Sequence, residues 1–229
     1  MSREVHDMFA GIAGSYDKAN SVLSLGVHHR WRKQTVRRSA VRPGDHVLDC
    51  ATGTGDLALE FKRAVGVDGR VVGTDFCAEM LALAPAKSRE TGLAVEWEVE
   101  DVMDLSYPED SFEVASIAFG IRNVDDPVQA LRSMGRVVRP GGRVIILEFG
   151  RPLWWMKPLF TFYSKVIIPS VGGLISGRRD AYMYLTQTSA AFPTGPEFLT
   201  LMDKSGMYAE RRVFPLTGGI AYLYIGIVA

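Results

Sequence analysis

Two glycines follow a short apolar run that ends in an acidic residue. Val47-Leu48 leads into Asp49, and the loop Gly53-Thr54-Gly55 precedes a helical pattern that begins at Leu57. This order of strand, glycine turn and helix is typical of the first βα unit of a nucleotide-binding α/β fold. The glycines allow a ligand to lie against the backbone, and the start of the following helix favours negative charge.

A second acidic residue follows this loop at the distance where nucleotide sites bind a ribose. Asp75 comes 20 positions after Gly55, at the end of the next apolar run, and its carboxylate can accept hydrogen bonds from ribose hydroxyls. Both NAD and S-adenosylmethionine carry such a ribose, and residues 53–58 also match the G-x-G-x-x-G/A pattern of NAD-binding proteins. A glycine turn that binds no ligand is the third alternative.

Two acidic residues that flank the loop favour S-adenosylmethionine over NAD. Asp49, at the strand end before the loop, resembles the first motif of class I S-adenosylmethionine-dependent methyltransferases. Asp56 begins the following helix, where its negative charge would oppose a pyrophosphate but tolerate a ligand that carries a sulfonium. We therefore expect S-adenosyl-L-methionine as the cofactor. The residues of this region expected to hold it are Asp49, Gly53, Thr54, Gly55 and Asp75.

One carboxylate stands out in an acidic stretch. Residues 98–113 contain seven acidic side chains and no basic one, and most of them are expected to be solvated loop charges. Asp101 comes just beyond the third predicted strand, at the edge where open α/β sheets bind ligands. Its carboxylate can accept a hydrogen bond from the adenine amino group, and the backbone N–H of Val102 can donate to a ring nitrogen. These residues predict an adenosyl ligand across three strand ends.

The composition is that of an ordinary globular protein. The 229 residues are 47% apolar and 23% charged, which fits one domain with a substantial core. The formal net charge is zero, so the overall charge gives no reason to expect nucleic acid as a partner. Cys50 and Cys77 are expected to be buried filler, and no cluster of ligands has the spacing of a metal site. No cleavable signal peptide is recognisable, so a cytoplasmic location is expected.

Alternating elements predict the sheet that positions these residues. Strands at 46–50, 70–75, 95–99, 112–118 and 143–149 alternate with helices at 56–65, 77–91 and 127–138. This alternation indicates a parallel sheet with helices on both faces. A helix at 196–205 and strands at 207–214 and 219–228 end the chain, and the 215–218 connection suits a hairpin. The predicted fold class is α/β, a class I methyltransferase Rossmann-like sheet, mostly parallel with a C-terminal antiparallel hairpin.

Two further regions complete the predicted single domain of residues 1–229. Residues 1–42 are expected to form N-terminal lid helices before the core of 46–150. Six basic residues between Arg30 and Arg42 indicate either a solvated helix face or attraction to anionic lipid.

An apolar insertion at 151–195, rich in aromatic residues at 153–175, precedes the final helix and hairpin of 196–229. Its longest uncharged run has 12 residues, fewer than the roughly 18 of a membrane span. We expect either a buried insertion or an apolar substrate wall.

Several segments resemble the ubiquinone/menaquinone biosynthesis C-methyltransferases. Residues 16–31 carry Tyr-Asp, then Asn, Ser, His and Trp at the spacing of that family's N-terminal signature. Residues 119–124, 136–143 and 147–149 resemble its later signature. The chain departs from the usual family residues at Ala19, Arg139 and Gly150. Some members have serine at the position of Ala118, whose methyl group cannot provide the hydroxyl thought to touch the cofactor.

The resemblance implies methyl transfer from S-adenosylmethionine to a ring carbon of a polyprenylated quinol. The favoured acceptor is demethylmenaquinol, which gives menaquinol. The alternative is the 2-polyprenyl-6-methoxy-benzoquinol precursor of ubiquinone, or both. Such a substrate adds the expectation of peripheral contact with the inner face of the membrane.

The chemistry of such an acceptor suggests roles for four residues. Carbon attack is favoured by the phenolate, so Arg122 and Asn123, beyond the fourth strand, are expected to stabilise it. His28 is the best candidate for general acid–base work, and a packed helix histidine that supports Trp31 is the alternative. Tyr16 is expected to cover the methionine end of the cofactor.

Overall fold

A seven-stranded sheet organises the chain in a computed structural model that describes residues 3–167, 170–171 and 179–229. The strands are β1 His46–Cys50, β2 Arg70–Asp75, β3 Glu96–Val99, β4 Phe112–Ala118, β5 Val138–Phe149, β6 Tyr208–Leu216 and β7 Ala221–Val228. Their spatial order is β3-β2-β1-β4-β5-β7-β6. Strands β1 to β5 run parallel, whereas β7 is antiparallel to both of its neighbours. The predicted fold class is confirmed.

Helices cover both faces of the sheet. Before the sheet come α1 Arg3–Ile12, α2 Tyr16–Leu23 and α3 Val27–Ser39, and the later helices are α4 Asp56–Val65, α5 Ala78–Leu81, α6 Ala84–Thr91, α7 Pro127–Val137, α8 Lys157–Phe162, α9 Arg179–Ala191 and α10 Pro196–Ser205. On one face, α7 and α10 bury Met134 and Phe198 in the larger core cluster. On the other, α3 and α4 bury Trp31 and Phe61. Each such side chain contributes about 1.5–3 kcal/mol by leaving water.

Three predicted boundaries differ from the structure for local reasons. The helix expected over 77–91 is two helices, because Pro85 in the first turn of α6 has no N–H to continue a preceding helix. Strand β5 begins at Val138 instead of 143, since Val138 pairs with Phe112 before the register shifts. Strand β6 continues through Pro215, which an edge strand tolerates, and the turn before β7 is Thr217–Gly219.

The predicted apolar insertion falls partly outside the described residues. The structure describes α8, a π-helical turn at Tyr163–Ile167, and α9, whereas residues 168–169 and 172–178 of the predicted insertion lie outside the described residues. Within the described ranges, no helix combines the length and apolar character needed to cross a membrane.

Candidate active site

The carboxyl ends of the parallel strands border two adjoining cavities. After β1 the chain adds β2 and β3 on one side and then returns to β4 on the other, and ligands bind at such switch points. A narrow cleft of about 70 Å³ lies over the ends of β2 and β3. A large cavity of about 800 Å³ extends towards α2, α3 and α8. Six residues line both: Phe9, Tyr16, Ala51, Gly53, Ala118 and Phe119.

The glycine loop lies where the two cavities meet and is fixed by Asp75. Gly53 and Gly55 have φ of +58° and +86°, values that side chains rarely adopt. A Cβ on Gly55 would lie 2.4 Å from the ring of Trp97, so a larger residue does not fit. The Gly53 N–H donates to Asp75 Oδ2 at 2.7 Å, and the Cys77 N–H donates to Oδ1 at 2.8 Å. Burial raises the pKa of Asp75, while these two donors act to lower it.

Asp49 is buried at the end of β1 and lines the large cavity. Its carboxylate accepts hydrogen bonds from Ser116 Oγ and Thr52 Oγ1, both at 2.6 Å. Burial nevertheless raises the pKa of Asp49 to about 6, against the effect of these two donors. The two hydroxyl residues were not among the predicted site residues. Ser116 had one recognisable signal, a polar residue within an apolar strand.

Asp101 and Val102, the residues predicted to contact adenine, both line the narrow cleft. The Asp101 carboxylate accepts a hydrogen bond from the Met103 N–H at 2.9 Å, which fixes its orientation. Val102 is 7% exposed and belongs to the larger core cluster. Together with Asp75, these residues place acidic acceptors at the ends of β2 and β3, around one cleft.

Thr54 and Asp56 have partners that the sequence did not indicate. The Thr54 hydroxyl donates to Asp17 Oδ1 at 2.7 Å, so its single donor is not directed at a cofactor. The Asp56 carboxylate lies 2.7 Å from Arg32 Nη1 and 2.6 Å from Lys87 Nζ. Burial acts to raise the pKa of Asp56, but the two cations outweigh it and the pKa is lowered. Because Asp56 is neutralised locally, its charge is not the discriminator against NAD that we expected.

Arg122 lines the large cavity and is paired with a buried carboxylate. Its Nη1 lies 2.7 Å from Glu148 Oε1 and 2.5 Å from the carbonyl oxygen of Phe119. Its Nε is buried and has no hydrogen-bond partner among the described residues. Burial raises the pKa of Glu148, and Arg122 and the Phe149 N–H act against that rise. Arg122 therefore has a fixed guanidinium whose positive charge is already balanced by Glu148 and whose buried Nε–H has no acceptor among the described residues.

Asn123 lines the narrow cleft and not the large cavity. It is 8% exposed and borders the narrow cleft, and the Tyr184 hydroxyl lies 3.5 Å from its Oδ1. Arg122 and Asn123 were expected to act together on the acceptor. The structure instead brings Arg122 to the large cavity and Asn123 to the narrow cleft, which Asp75 and Asp101 also line.

His28 is buried in the wall of the large cavity. Its Nδ1 lies 2.5 Å from Ser24 Oγ, and its ring is 3.9 Å from the ring of His29. Burial, followed by the positive charge of Arg32 and the effect of His29, lowers the pKa of His28 to about 4. At so low a pKa the imidazole is neutral at pH 7 and a weaker base than an ordinary histidine, so it is less suited to the predicted acid–base role. Trp31 has its own partner, since its Nε1 donates to Thr217 Oγ1 at 2.9 Å.

Tyr16 begins α2 and lines both the narrow cleft and the large cavity. Its ring makes an edge-to-face contact with Phe9 of α1, with centroids 6.3 Å apart. Burial raises the pKa of Tyr16, and a hydrogen bond with Asn20 acts to lower it. The phenol is therefore neutral, and it lies at the junction where the narrow cleft meets the large cavity.

The residues present fit S-adenosylmethionine. Asp75 and Asp101 supply acceptors at the adenosine end, and the glycine loop leaves room for a ligand against its backbone. The buried Asp49 provides a carboxylate beside the large cavity, where the cationic methionine end would lie. This fold and this site define a class I S-adenosylmethionine-dependent methyltransferase.

Comparison with known proteins gives the family. Residues 1–228 match the profile of the ubiE/COQ5 methyltransferase family. The ubiquinone/menaquinone biosynthesis C-methyltransferase UbiE of Bdellovibrio bacteriovorus is 54% identical, over 98% of this chain and 95% of its own. The demethylmenaquinone methyltransferase of Deinococcus radiodurans is 41% identical, over 97% and 91%. The chain belongs to the ubiE/COQ5 methyltransferase family.

Solved structures show the same fold at low sequence identity. An S-adenosylmethionine-dependent methyltransferase from Thermotoga maritima, described as a possible histamine N-methyltransferase, superposes with a TM-score of 0.67. It is 19% identical, and the match covers 96% of this chain and 98% of that one. A methyltransferase from Aquifex aeolicus gives a TM-score of 0.62 at 17% identity, over 86% and 89%.

Proposed function

We propose that this protein transfers the methyl group of S-adenosylmethionine to a ring carbon of demethylmenaquinol and so forms menaquinol. The Deinococcus relative is named for that activity. The observation that carries the proposal is the large cavity, which adjoins the narrow cleft and is lined by the fixed guanidinium group of Arg122. The alternative is methylation of the benzoquinol precursor of ubiquinone, or of both acceptors, because the name of the Bdellovibrio relative includes both quinones.

The reaction requires the reduced ring. A quinone carbon is electron-poor, whereas the quinol, and above all its phenolate, places electron density on the ring carbon. That carbon forms the new C–C bond while the methyl–sulfur bond breaks, and S-adenosylhomocysteine leaves. The ring carbon then loses its proton to restore aromaticity. Most of the acceleration can come from holding the carbon in line with the methyl–sulfur bond.

Arg122 is the proposed donor to the quinol oxygen. Its Nε is buried without a described partner, and Glu148 and the Phe119 carbonyl fix the rest of the guanidinium. A donor fixed before the reaction stabilises developing negative charge on oxygen without a reorganisation cost. Since a guanidinium remains protonated, Arg122 acts as a donor and not as the base.

We propose that His28 accepts a hydrogen bond from the substrate hydroxyl but does not become protonated by it. A phenolic hydroxyl has a pKa of about 10, far above the value of about 4 that burial gives His28. This role requires the tautomer in which Nδ1–H donates to Ser24 Oγ, since Nε2 is then free to accept. This interaction would orient the hydroxyl, and solvent would take the proton.

The proposed cofactor-binding residues divide between the narrow cleft and the large cavity. In the narrow cleft, the adenosine is proposed to be surrounded by Asp75, Asp101, Val102 and Asn123. In the large cavity, Asp49 is proposed to bind the cationic methionine end. The lid helices of residues 1–42 are proposed to close the site through Tyr16. The remaining parts of the proposed domain division are the 46–150 core, the 151–195 insertion and the 196–229 end of the chain.

The polyprenyl tail is proposed to leave the cavity at the membrane surface, through the insertion. Leu159 lines the cavity and is 67% exposed, and nearby Trp154 and Phe162 are 85% and 61% exposed. Exposed aromatic residues of this kind suit the boundary between lipid and water. On α3, Arg30 and Lys33 are exposed and available to anionic headgroups.

Liposome binding tests the membrane contact. We expect the triple variant Trp154→Ser/Leu159→Ser/Phe162→Ser to lose co-sedimentation with anionic liposomes and its preference for a long-tailed quinol. The control Val67→Ser/Val99→Ser changes two exposed apolar residues elsewhere, 92% and 59% exposed, and should bind normally. Equal liposome binding by the two variants would remove the membrane proposal and leave the methylation proposal intact.

Competition between the two quinols tests the acceptor. We expect initial rates with reduced demethylmenaquinol to exceed those with the reduced benzoquinol of the same tail length, and oxidised quinones to give no product. A faster rate with the benzoquinol would reverse the assignment in favour of the alternative acceptor.

A further inference from the structure

Lys87 of α6 lies at the centre of a charge network that no sequence motif indicated. Its Nζ is 2.6 Å from Asp17 Oδ2, 2.6 Å from Asp56 Oδ1 and 2.8 Å from Thr54 Oγ1. A lysine ammonium has three N–H donors, so these three contacts account for all of them.

The three partners belong to separate elements of the cofactor site. Asp17 is in the first turn of α2, directly after Tyr16. Thr54 is in the glycine loop, and its hydroxyl also donates to Asp17 Oδ1 at 2.7 Å. Asp56 begins α4. Lys87 therefore joins α2 to the glycine loop and to the first residue of α4.

We propose that Lys87 is a positioning residue that holds α2, and with it Tyr16, closed over the cofactor. This inference rests on the proposed cofactor site, because Tyr16 lines both the narrow cleft and the large cavity, in which the cofactor would lie. Removing the ammonium leaves the carboxylates of Asp17 and Asp56 close together with one cation fewer, and their repulsion moves α2 away from the loop.

The network is shielded enough for its charges to matter. The side chains of Lys87, Asp17 and Asp56 are 24%, 39% and 25% exposed, so water screens them less than a surface ion pair. Asp56 is also 2.7 Å from Arg32 Nη1. Two cations, Lys87 and Arg32, thus balance the carboxylates of Asp17 and Asp56 where the lid helices meet the glycine loop and α4.

Calorimetric titration with S-adenosylmethionine alone tests the proposal. We expect Lys87→Met to raise the dissociation constant about tenfold, the size reasonable for partly exposed charged hydrogen bonds. Asp17→Asn, which changes the lid side only, should raise it by a similar factor. In the double variant the two effects should not multiply, because both remove the same contact. Amide exchange of α2 should accelerate in Lys87→Met, while that of β1 should not.

The control is Arg89→Met, which removes an exposed cation from the same helix and should leave the dissociation constant unchanged. Multiplying effects of Lys87→Met and Asp17→Asn, or unchanged affinity in both, would overturn the positioning role. Since no acceptor is present in this titration, a wrong assignment of the quinol would leave its outcome unaffected.

Discussion

Arg122 and Glu148 form an ion pair that is almost completely removed from water. Their Nη1 and Oε1 atoms are 2.7 Å apart, and the side chains are 4% and 2% exposed. Glu148 also accepts from the Phe149 N–H at 2.8 Å. The pair fixes the one cationic side chain that we assign to the quinol oxygen, so positioning and stability depend on the same contact.

Breaking this pair from either side should destabilise the protein. We expect Glu148→Gln or Arg122→Ala to lower the free energy of unfolding by about 3–5 kcal/mol, since each leaves an uncompensated buried partner. Urea denaturation measures this loss. The double variant Arg122→Met/Glu148→Leu should recover most of the stability while remaining inactive in methyl transfer, which separates the structural role from the chemical one. Turnover by that double variant would remove Arg122 from the reaction.

Cofactor affinity should depend on pH through Asp49. Its pKa of about 6 means that the carboxylate becomes protonated as pH falls below 6 and loses its attraction for the cationic methionine end. We expect the dissociation constant of S-adenosylmethionine to rise about tenfold between pH 7 and pH 5. The variant Asp49→Asn should remove this dependence of the dissociation constant on pH. A dependence that persists in Asp49→Asn would assign the titration to another group.

His28 should remain neutral far into the acid range. Its pKa is lowered from 6.5 to about 4, so the unfolded chain takes up this proton before the folded protein does. Its contribution to stability is therefore complete above pH 6.5 and is lost as pH falls towards 4. NMR titration should show an unchanged His28 ring above pH 5, and His28→Gln should reduce the slope of unfolding free energy with pH. A His28 midpoint near 6.5 would restore the acid–base role.

Asp75 should be required for both loop geometry and ribose binding. Asp75→Ala removes the acceptor for the Gly53 N–H and the proposed acceptor for ribose hydroxyls. We expect a loss of about 2 kcal/mol, or roughly 30-fold in affinity, the range for hydrogen bonds to a charged group. The control Asp68→Ala changes an exposed turn carboxylate just before the same strand and should bind normally. Matching affinities in the two variants would contradict the ribose assignment.

Local patterns predicted the sheet and the elements that frame the site. The alternation of apolar runs with helical patterns gave the parallel strands, and the glycine loop and Asp75 meet because consecutive parallel strands end at one edge. Pro85 was a recognisable break within the predicted helix at 77–91. Glu148 in the apolar run of β5 was likewise a signal that a buried partner must exist.

The pairings between distant elements could not be read from the sequence. The charge of Asp56 is cancelled by Arg32 and Lys87, which come from helices on either side of it in the chain. Arg122 and Asn123 lie in one 3₁₀ turn, where successive side chains diverge by about 120°. These two sequence neighbours therefore line different cavities, and only the tertiary structure reveals that Arg122 lines the large cavity and Asn123 the narrow cleft.

Identification of the methylated atom tests the account most directly. The protein is incubated with S-adenosylmethionine carrying a trideuterated methyl group and reduced demethylmenaquinol, and the product is analysed by mass spectrometry and NMR. We predict one trideuteromethyl group on a ring carbon and an equal amount of S-adenosylhomocysteine. Unlabelled quinol, or a label on a quinol oxygen, would contradict the proposed C-methylation.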